Sequence, residues 1–452
     1  MSHMLRLNSL KLKRHPVLGD IEIDFQTTNF DFNTIFSTII IGQNGTGKST
    51  VLKVLADIFR AFDLYQMDIS KRPQLGYNFY VRYTINNISY DISTSALVLV
   101  EPRGRYESTY MFFKNKPVDL SINSQIHDSS SYKKYSIPIS EVVLPSIVLA
   151  SSLMLTDKFN AKSLGKYKYL GVRNENSPST TGTRTYVRKT VDNIIDGIKH
   201  KNFALELTKL FKFLELDASL RLSYVPRHKN IFFTEDINIA KLRAAFGEEW
   251  KSFFPKRNSP LWGAANFEKI STDTHRLEGL VDFLKSVHRR IFVDGNKRSL
   301  EYDVLERSWE IVEDYEMLNI LRSLDIISYP TLSISRNRLP YEFINSSSGE
   351  THMISEFIGL LSQIKENSLV LIDEPEISLH PNWQIKYIDQ LKNIFHDYVN
   401  SHFVIATHSH FLLSDVKPTS ANTIEYTKHP ELALNYLIFR RRVNPSNYYL
   451  NI

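Results

Sequence analysis

The chain has 452 residues, 42% hydrophobic and 23% charged, with a net charge of +6. That is ordinary globular composition, and a chain this long can bury a core without covalent staples. With no cysteine, disulfides, thiolate zinc sites, iron–sulfur ligation and cysteine nucleophiles are excluded, and a cytoplasmic, reducing location is expected. No apolar run reaches the length of about 18 residues that a spanning helix needs, so no membrane association is expected. The opening residues lack the apolar stretch of a secretion signal. Met1-Ser2-His3-Met4 is expected to carry vector-derived residues ahead of a start at Met4.

The positive charge is uneven. Between Pro102 and His200, 15 Lys and Arg stand against 8 Asp and Glu, a surplus of 7 that accounts for the whole net charge. Two readings fit: a solvated basic surface, or a patch facing an acidic partner such as DNA or another nucleic acid.

Along the chain, Leu5, Leu7, Leu10 and Leu12, then Ile21, Ile23 and Phe25, follow the strand period, with turn signals at His15-Pro16 and Gly19-Asp20. Residues 38–41 are all β-branched, as in a buried strand. A glycine-rich loop follows, then 51–59 with apolar residues at helical spacing. Residues 77–92 alternate again around an Asn86-Asn87 hairpin turn. Residues 97–101 and 110–114 extend this β region, 146–150 predict a buried strand, and 174–185 read as a loop. Helical periodicity then dominates 187–216, 238–253, 274–290 and 302–326. After Ser348 come a helix, a strand at 369–372, a helix at 383–395 and a strand at 403–406. No repeat or sustained heptad array is present, which argues against coiled-coil arms. The expected organisation is one α/β unit split by an insertion: a first half at 1–170, a mostly helical insertion at 171–330 and a second half at 331–452.

Four segments carry chemistry. Gly42-Gln43-Asn44-Gly45-Thr46-Gly47-Lys48-Ser49 matches G-x-x-x-x-G-K-[ST], between a buried strand and a helix. Its glycines let backbone amides wrap a phosphate, and the following helix points its positive end at the anion. Lys48 can reach the β- and γ-phosphates, and Ser49 can ligate Mg²⁺. At 369–374 four apolar residues end in Asp373 and Glu374, a metal ligand and a general base at the tip of a strand. Ser346-Ser347-Ser348-Gly349-Glu350, with Gly349 24 residues before Asp373, is a helix start suited to an anion. Thr407-His408-Ser409 follows a buried strand, with His408 35 residues after Asp373. A histidine there can bond a γ-phosphate or the attacking water.

The order of these four segments resembles the head of ABC-type ATPases. The run Asp373-Glu374-Pro375-Glu376-Ile377-Ser378-Leu379-His380-Pro381 is similar to their soluble branch, which holds RecF- and SMC-like heads and the overcoming-lysogenization-defect (OLD) ATPases of phage defence. The resemblance covers the two ends, about 200 residues. It implies an ABC-type P-loop head: a mixed central sheet with flanking helices and an antiparallel β subdomain. By this resemblance Gly42, Asn44, Gly45, Thr46, Gly47, Lys48, Ser49 and Thr50 hold ATP. Ser49 and Asp373 hold Mg²⁺, Glu374 is the catalytic base and His408 the switch histidine. Ser347, Ser348, Gly349 and Glu350 meet the ATP of a second protomer, giving a head-to-head dimer or higher oligomer.

Three further runs, Leu149-Ala150-Ser151-Ser152, Thr156-Asp157-Lys158-Phe159 and Tyr167-Lys168-Tyr169-Leu170-Gly171, are similar to the Septu anti-phage ATPase subunits (PtuA) and their retron-associated relatives. Those work with a separate HNH-type nuclease. The PARIS ATPase, paired with a TOPRIM-type nuclease, is a nearby alternative. Two features depart from the ABC pattern. Neither Gln125 nor Gln363 has the context of a Q-loop glutamine, and Ser346 replaces the leucine that opens the signature.

The resemblance implies an ATPase subunit regulating a separate nuclease. Its alternatives are an ATP-gated scaffold with little turnover and a RecF-like DNA-repair head. The 44 residues after His408 are too few for a TOPRIM domain, and no HNH pattern is evident, so no nuclease active site is expected in this chain. Arg440-Arg441-Arg442 with Tyr448-Tyr449 fits either a nucleic-acid or protein contact or a terminal strand with solvated charge. His380-Pro381 fits either a dimer-interface D-loop or a plain helix start.

Overall fold

The alternating leucines near the N-terminus change parity between Leu7 and Leu10, and the fold explains why. In the structure, a computed structural model, strand β1 (Arg6–His15) has a register shift between Leu7 and Ser9 where it pairs with β4 (Asn78–Ile85). The extra residue of such a bulge returns the later leucines to the buried face. The structure describes residues 4–25, 34–94, 110–117, 132–173, 183–294, 297–306, 308–414, 421–428 and 437–441. After β1 come β2 (Gly19–Asp24), β3 (Phe36–Gly42) and helix α1 (Lys48–Met67). Then follow β4, β5 (Ile88–Thr94), β6 (Tyr110–Pro117), β7 (Tyr132–Ser136), β8 (Val148–Ser152) and β9 (Tyr167–Tyr169). Asn86 and Asn87 sit at φ 55° and 61°, the paired left-handed residues of a two-residue hairpin turn. Strands β2-β1-β4-β5-β6-β7 form an antiparallel sheet of six.

The inserted segment holds helices α2 (Thr183–Ile198), α3 (Phe203–Phe213), α4 (Lys229–Phe232), α5 (Ile239–Phe246), α6 (Trp250–Phe253), α7 (Ala264–Ser271), α8 (Thr274–Arg290), α9 (Ser308–Ser323) and α10 (Ser348–Gln363). It also holds β10 (Leu220–Tyr224), β11 (Phe292–Asp294), β12 (Lys297–Asp303), β13 (Thr331–Arg336) and β14 (Leu339–Glu342). These five strands form one antiparallel sheet, β11-β12-β10-β13-β14. The sequence expectation contains most of these helices, though not α4 or α7, and does not contain this sheet. Its strands are short, and all but β12 fall outside the stretches that read as helical, 187–216, 238–253, 274–290 and 302–326; residue 302, expected to open a helix, lies in β12. The division of the chain also falls elsewhere than expected. β13 pairs with β10, so 331–362 goes with the insertion. Residues Gly182–Ser362 form one compact unit, and Met1–Thr181 with Gln363–Ile452 form the other.

The chain then completes the first unit with β15 (Leu369–Asp373), helix α11 (Pro381–Ile394), β16 (His402–Thr407), β17 (Ala421–Lys428) and β18 (Leu437–Arg441). The central sheet runs β18-β17-β3-β16-β15-β8-β9, parallel throughout except for the β17–β18 pair. β3, β15 and β16 are buried almost from end to end, which is why they read as unbroken apolar runs. Helix α1 shares one hydrophobic core with both sheets: Leu55, Phe59 and Phe62 belong to the same cluster as Leu12, Val81, Leu371 and Val404. The expected head, a mixed central sheet plus an antiparallel β subdomain, is present. Among the described residues no helix is long and apolar enough to cross a membrane. Within the basic stretch, 102–109, 118–131 and 174–182 lie outside the described residues, and the rest is divided between the two units. Arg440 and Arg441 fall within β18; Arg442, Tyr448 and Tyr449 lie outside the described residues.

Candidate nucleotide-binding site

Four parallel strands end abreast. Ile41 of β3 pairs with Thr407 of β16, Ala406 with Asp373 of β15, and Asp373 with Ser152 of β8. The glycine loop, His408, Glu374 and the segment after Ser152 therefore leave the same edge of the sheet. The C-terminal edge of parallel strands is where their loops converge around a ligand.

The loop from Gly42 to Ser49 bends where glycine is needed. Gly45 and Gly47 sit at φ 78° and 109°, a region other residues enter at a cost. No side chain caps the start of α1 at Gly47, which leaves first-turn amides to a ligand. Thr46 Oγ1 donates to the Gln43 carbonyl at 2.9 Å and holds the loop's curl. Lys48 Nζ donates to the carbonyls of Gly42 and Gln43 at 2.7 and 2.9 Å, so the ammonium lies over its own loop. Burial pushes the Lys48 ammonium down from its ordinary value, opposed by the charges of Glu374, Glu376 and Asp373. Asn44 and Gly45 are exposed, and Thr50 is buried in the first turn of α1.

Asp373 closes β15 and is 3% exposed. Burial pushes its carboxyl up to about 7, against the hydrogen bond from Ser49, with Glu374, Asp157 and Glu376 adding negative charge around it. Its Oδ1 has no hydrogen-bond partner among the described residues. Glu374 leaves the strand at φ 52°, a conformation a non-glycine residue rarely holds, and donates its amide to the Ala406 carbonyl at 2.8 Å. His408 Nδ1 lies 3.0 Å from Glu376 Oε1 and 3.8 Å from Glu374 Oε1. Crowded carboxylates, an orphaned oxygen on Asp373 and a hydroxyl at Ser49 are a hard-oxygen set that fits Mg²⁺. The curled amides with Lys48 fit a polyphosphate.

The Ser-Gly segment belongs to the other compact unit. Ser347 Oγ accepts the Glu350 amide at 3.2 Å, and Glu350 Oε2 accepts the Ser347 amide at 3.1 Å. This reciprocal cap starts α10. Arg336 Nη2 donates to Glu350 Oε1 at 2.5 Å. Both carboxylate oxygens of Glu350 are thus taken up in shaping the helix start, while Ser347 and Ser348 remain exposed beside buried Gly349. His380 caps α11, its Nδ1 accepting the Asn382 amide at 3.3 Å with Pro381 in the first turn.

Residues 37–414 match the family described as "AAA domain, putative AbiEii toxin, Type IV TA system". The chain belongs to this family. An AAA domain thus spans most of the chain. It is 26% identical over 190 residues to "Retron Ec83 probable ATPase" of Escherichia coli, covering 39% of this chain and 33% of the relative. The chain thus spans about a third of the length of the curated relative it matches. Among solved structures, the Smc head domain bound to the C-terminal domain of ScpA from Pyrococcus furiosus aligns over 97% of this chain and 96% of that one, at 12% identity and a TM-score of 0.36. The recombination mediator protein RecF aligns over 94% and 96%, at 12% identity and a TM-score of 0.31. At scores this low, neither likeness carries weight beyond the topology already described.

The candidate site gathers residues to which the sequence alone assigns no role. Ser152 stands opposite Asp373, Asp157 lies close enough to raise it, and Lys158 Nζ donates to Thr50 Oγ1 at 2.7 Å. These residues occupy the segment after β8. Neither glutamine weighed for the Q-loop is among them: Gln363 ends α10, ahead of the far end of β15, and Gln125 lies outside the described residues. Glu376 is the other addition. It stands two residues after Glu374, and a second acid so close to the strand end was the signal for it.

Proposed function

We propose that this chain binds and hydrolyses ATP with Mg²⁺, closes head-to-head on a second copy, and regulates a separate HNH-type nuclease in a bacterial anti-phage complex of the Septu kind. The observation that carries the catalytic part is the alignment of Lys48 and Ser49, Asp373 and Glu374, and His408 at one edge of the central sheet. Lys48 and the loop amides bind the phosphates, and Thr50 completes the first-turn cradle. Ser49 and Asp373 hold Mg²⁺, which neutralises phosphate charge. Glu374 takes the proton of the attacking water, and His408 orients that water or the γ-phosphate. Ser347, Ser348 and Gly349 of a second copy supply the opposing anion contact. The similarity to the retron ATPase and the resemblance of runs such as Tyr167-Lys168-Tyr169-Leu170-Gly171 to defence ATPases support the cellular setting. No nuclease centre is assigned to this chain.

The test uses the full chain, alone and with its neighbouring nuclease gene product. Turnover is expected in the native chain and is lost in Glu374→Gln; nucleotide binding is lost in Lys48→Ala. Unchanged nucleotide affinity in Lys48→Ala would overturn the phosphate site. Nuclease output that ignores both variants would overturn the regulatory role, and output that survives Glu374→Gln while following ATP binding would replace the motor with an ATP-gated scaffold.

A further inference from the structure

Glu376 is the buried acid that the scheme above leaves without work. Its side chain is 3% exposed. Two hydrogen bonds converge on its Oε1, from the Thr407 hydroxyl at 2.7 Å and the His408 backbone amide at 2.8 Å, and His408 Nδ1 lies 3.0 Å from the same oxygen. Its Oε2 is buried with no hydrogen-bond partner among the described residues. The surrounding turns are laced to each other. Gln384 Nε2 donates to the Glu376 carbonyl at 3.4 Å and to the Leu379 carbonyl at 2.9 Å. Gln384 Oε1 accepts the Ser409 hydroxyl at 2.6 Å, and the Ser409 amide donates to Thr407 Oγ1 at 2.9 Å.

A carboxylate facing one imidazole nitrogen decides where the proton sits. With Nδ1–H donated to Glu376, the Nε2 lone pair is left for the other side of the ring. The His408 side chain is 42% exposed, so that side is reachable, whereas Glu374 Oε1 at 3.8 Å is beyond hydrogen-bond range. The backbone amide bond ties the histidine's own main chain to the same oxygen. Moving Glu376 would therefore move His408.

We infer that Glu376 is a positioning residue for hydrolysis: its buried carboxylate holds His408 in one rotamer and in the Nδ1-protonated tautomer, with Nε2 presented at the phosphate edge of the sheet. This rests on His408 acting in the proposed ATPase reaction. Glu376 never touches substrate; it acts through the histidine.

The experiment compares Glu376→Ala, Glu376→Gln, His408→Ala and the double variant Glu376→Ala/His408→Ala in the full chain. Glu376→Ala is expected to lower kcat about 10- to 100-fold, the range for losing a carboxylate that orients a histidine, with ATP affinity changed less than about twofold. Glu376→Gln, which keeps an acceptor oxygen, recovers much of kcat. The double variant is no slower than His408→Ala, because the acid works only through the ring. A Glu376→Ala effect that multiplies fully with His408→Ala, or a loss of ATP affinity matching the loss of kcat, overturns the inference. A separate arm needs no turnover: ¹⁵N NMR of the histidines, assigned by subtraction of His408→Ala, is expected to show the Nδ1-protonated form in the native chain and its loss in Glu376→Ala. An unchanged tautomer overturns the inference. A native chain with that tautomer but no turnover would instead indict the hydrolysis reading. If Glu376→Ala does not fold, Glu376→Met fills the same space without an acceptor and takes its place.

Discussion

Asp157 and Arg173 meet as a two-pronged ion pair, Nη2 to Oδ1 at 2.6 Å and Nε to Oδ2 at 2.9 Å, with the acid's side chain wholly buried. The Tyr169 hydroxyl adds a bond to Oδ2 at 2.6 Å. The pair pins the segment after β8, and the neighbouring Lys158 thereby stays on Thr50. The hydrogen bonds it donates to Asp157 hold the Arg173 guanidinium above its ordinary value, against partial burial. Arg173→Met leaves a buried carboxylate without its charge partner, and stability should fall by about 3–5 kcal/mol. Arg173→Lys should recover little, because an ammonium cannot match both oxygens. Urea unfolding of the two variants measures this; a loss near zero in both would show the pair to be idle.

His402 gives a pH dependence of known sign. It is fully buried on β16, with Nδ1 accepting the Leu7 amide at 2.9 Å and Nε2 2.9 Å from Thr38 Oγ1. Burial, with a smaller push from Arg6, holds its pKa well below the ordinary 6.5. The folded chain keeps this ring neutral while the unfolded chain protonates it near 6.5. The unfolded state therefore binds more protons, and stability falls as pH drops through 6.5, by up to about 1.4 kcal/mol per pH unit, until the folded pKa is reached. Above 6.5 this contribution is flat. Replacing the ring by His402→Gln should remove that part of the slope in unfolding curves between pH 7 and 5.

Glu374 holds a left-handed backbone at φ 52° directly after the buried strand. Asparagine tolerates that region better than glutamate. Glu374→Asn should therefore raise the unfolding free energy by about 0.5–1 kcal/mol while abolishing turnover, the trade expected where function maintains strain. Paired urea and turnover measurements check it, and a destabilised Glu374→Asn would contradict the strain argument.

How far the sequence could be read depends on what each element demands of its neighbours in the chain. The phosphate loop is legible because Gly45 and Gly47 meet a backbone need within eight residues of Lys48 and Ser49. Asp373 and Glu374 are legible because a buried parallel strand must be apolar until it ends. Asn86-Asn87 announces its own turn. By contrast, Asp157 finds Arg173 16 residues away through a segment whose one regular stretch is the three-residue β9, too short for a period to betray it. Glu376 meets His408 across 32 positions, so the role of the acid depends on strand order. The sheet of the insertion hides because Leu220, Leu222 and Tyr224 make only three buried positions of alternation between helical windows.

Glu350 and Arg336 set a last expectation. The acid is 6% exposed and shared between the cap of α10 and the guanidinium, itself 43% exposed on β13. Removing the arginine strands one carboxylate oxygen in a buried place, a change that typically costs about 1–3 kcal/mol. The effect should be local, because Ser347 still accepts the Glu350 amide. Hydrogen exchange in Arg336→Ala should therefore rise at the amides of residues 350–353 before it rises in β15. Adding Glu350→Gln to that variant removes the stranded charge and should restore part of the protection, whereas Glu350→Gln alone should weaken the cap. If Arg336→Ala leaves exchange at the start of α10 unchanged, the arginine does not support the helix that carries Ser347 and Gly349. An ATP-driven self-association assay on the same variant then reports whether a loosened helix start also weakens closure on a second copy.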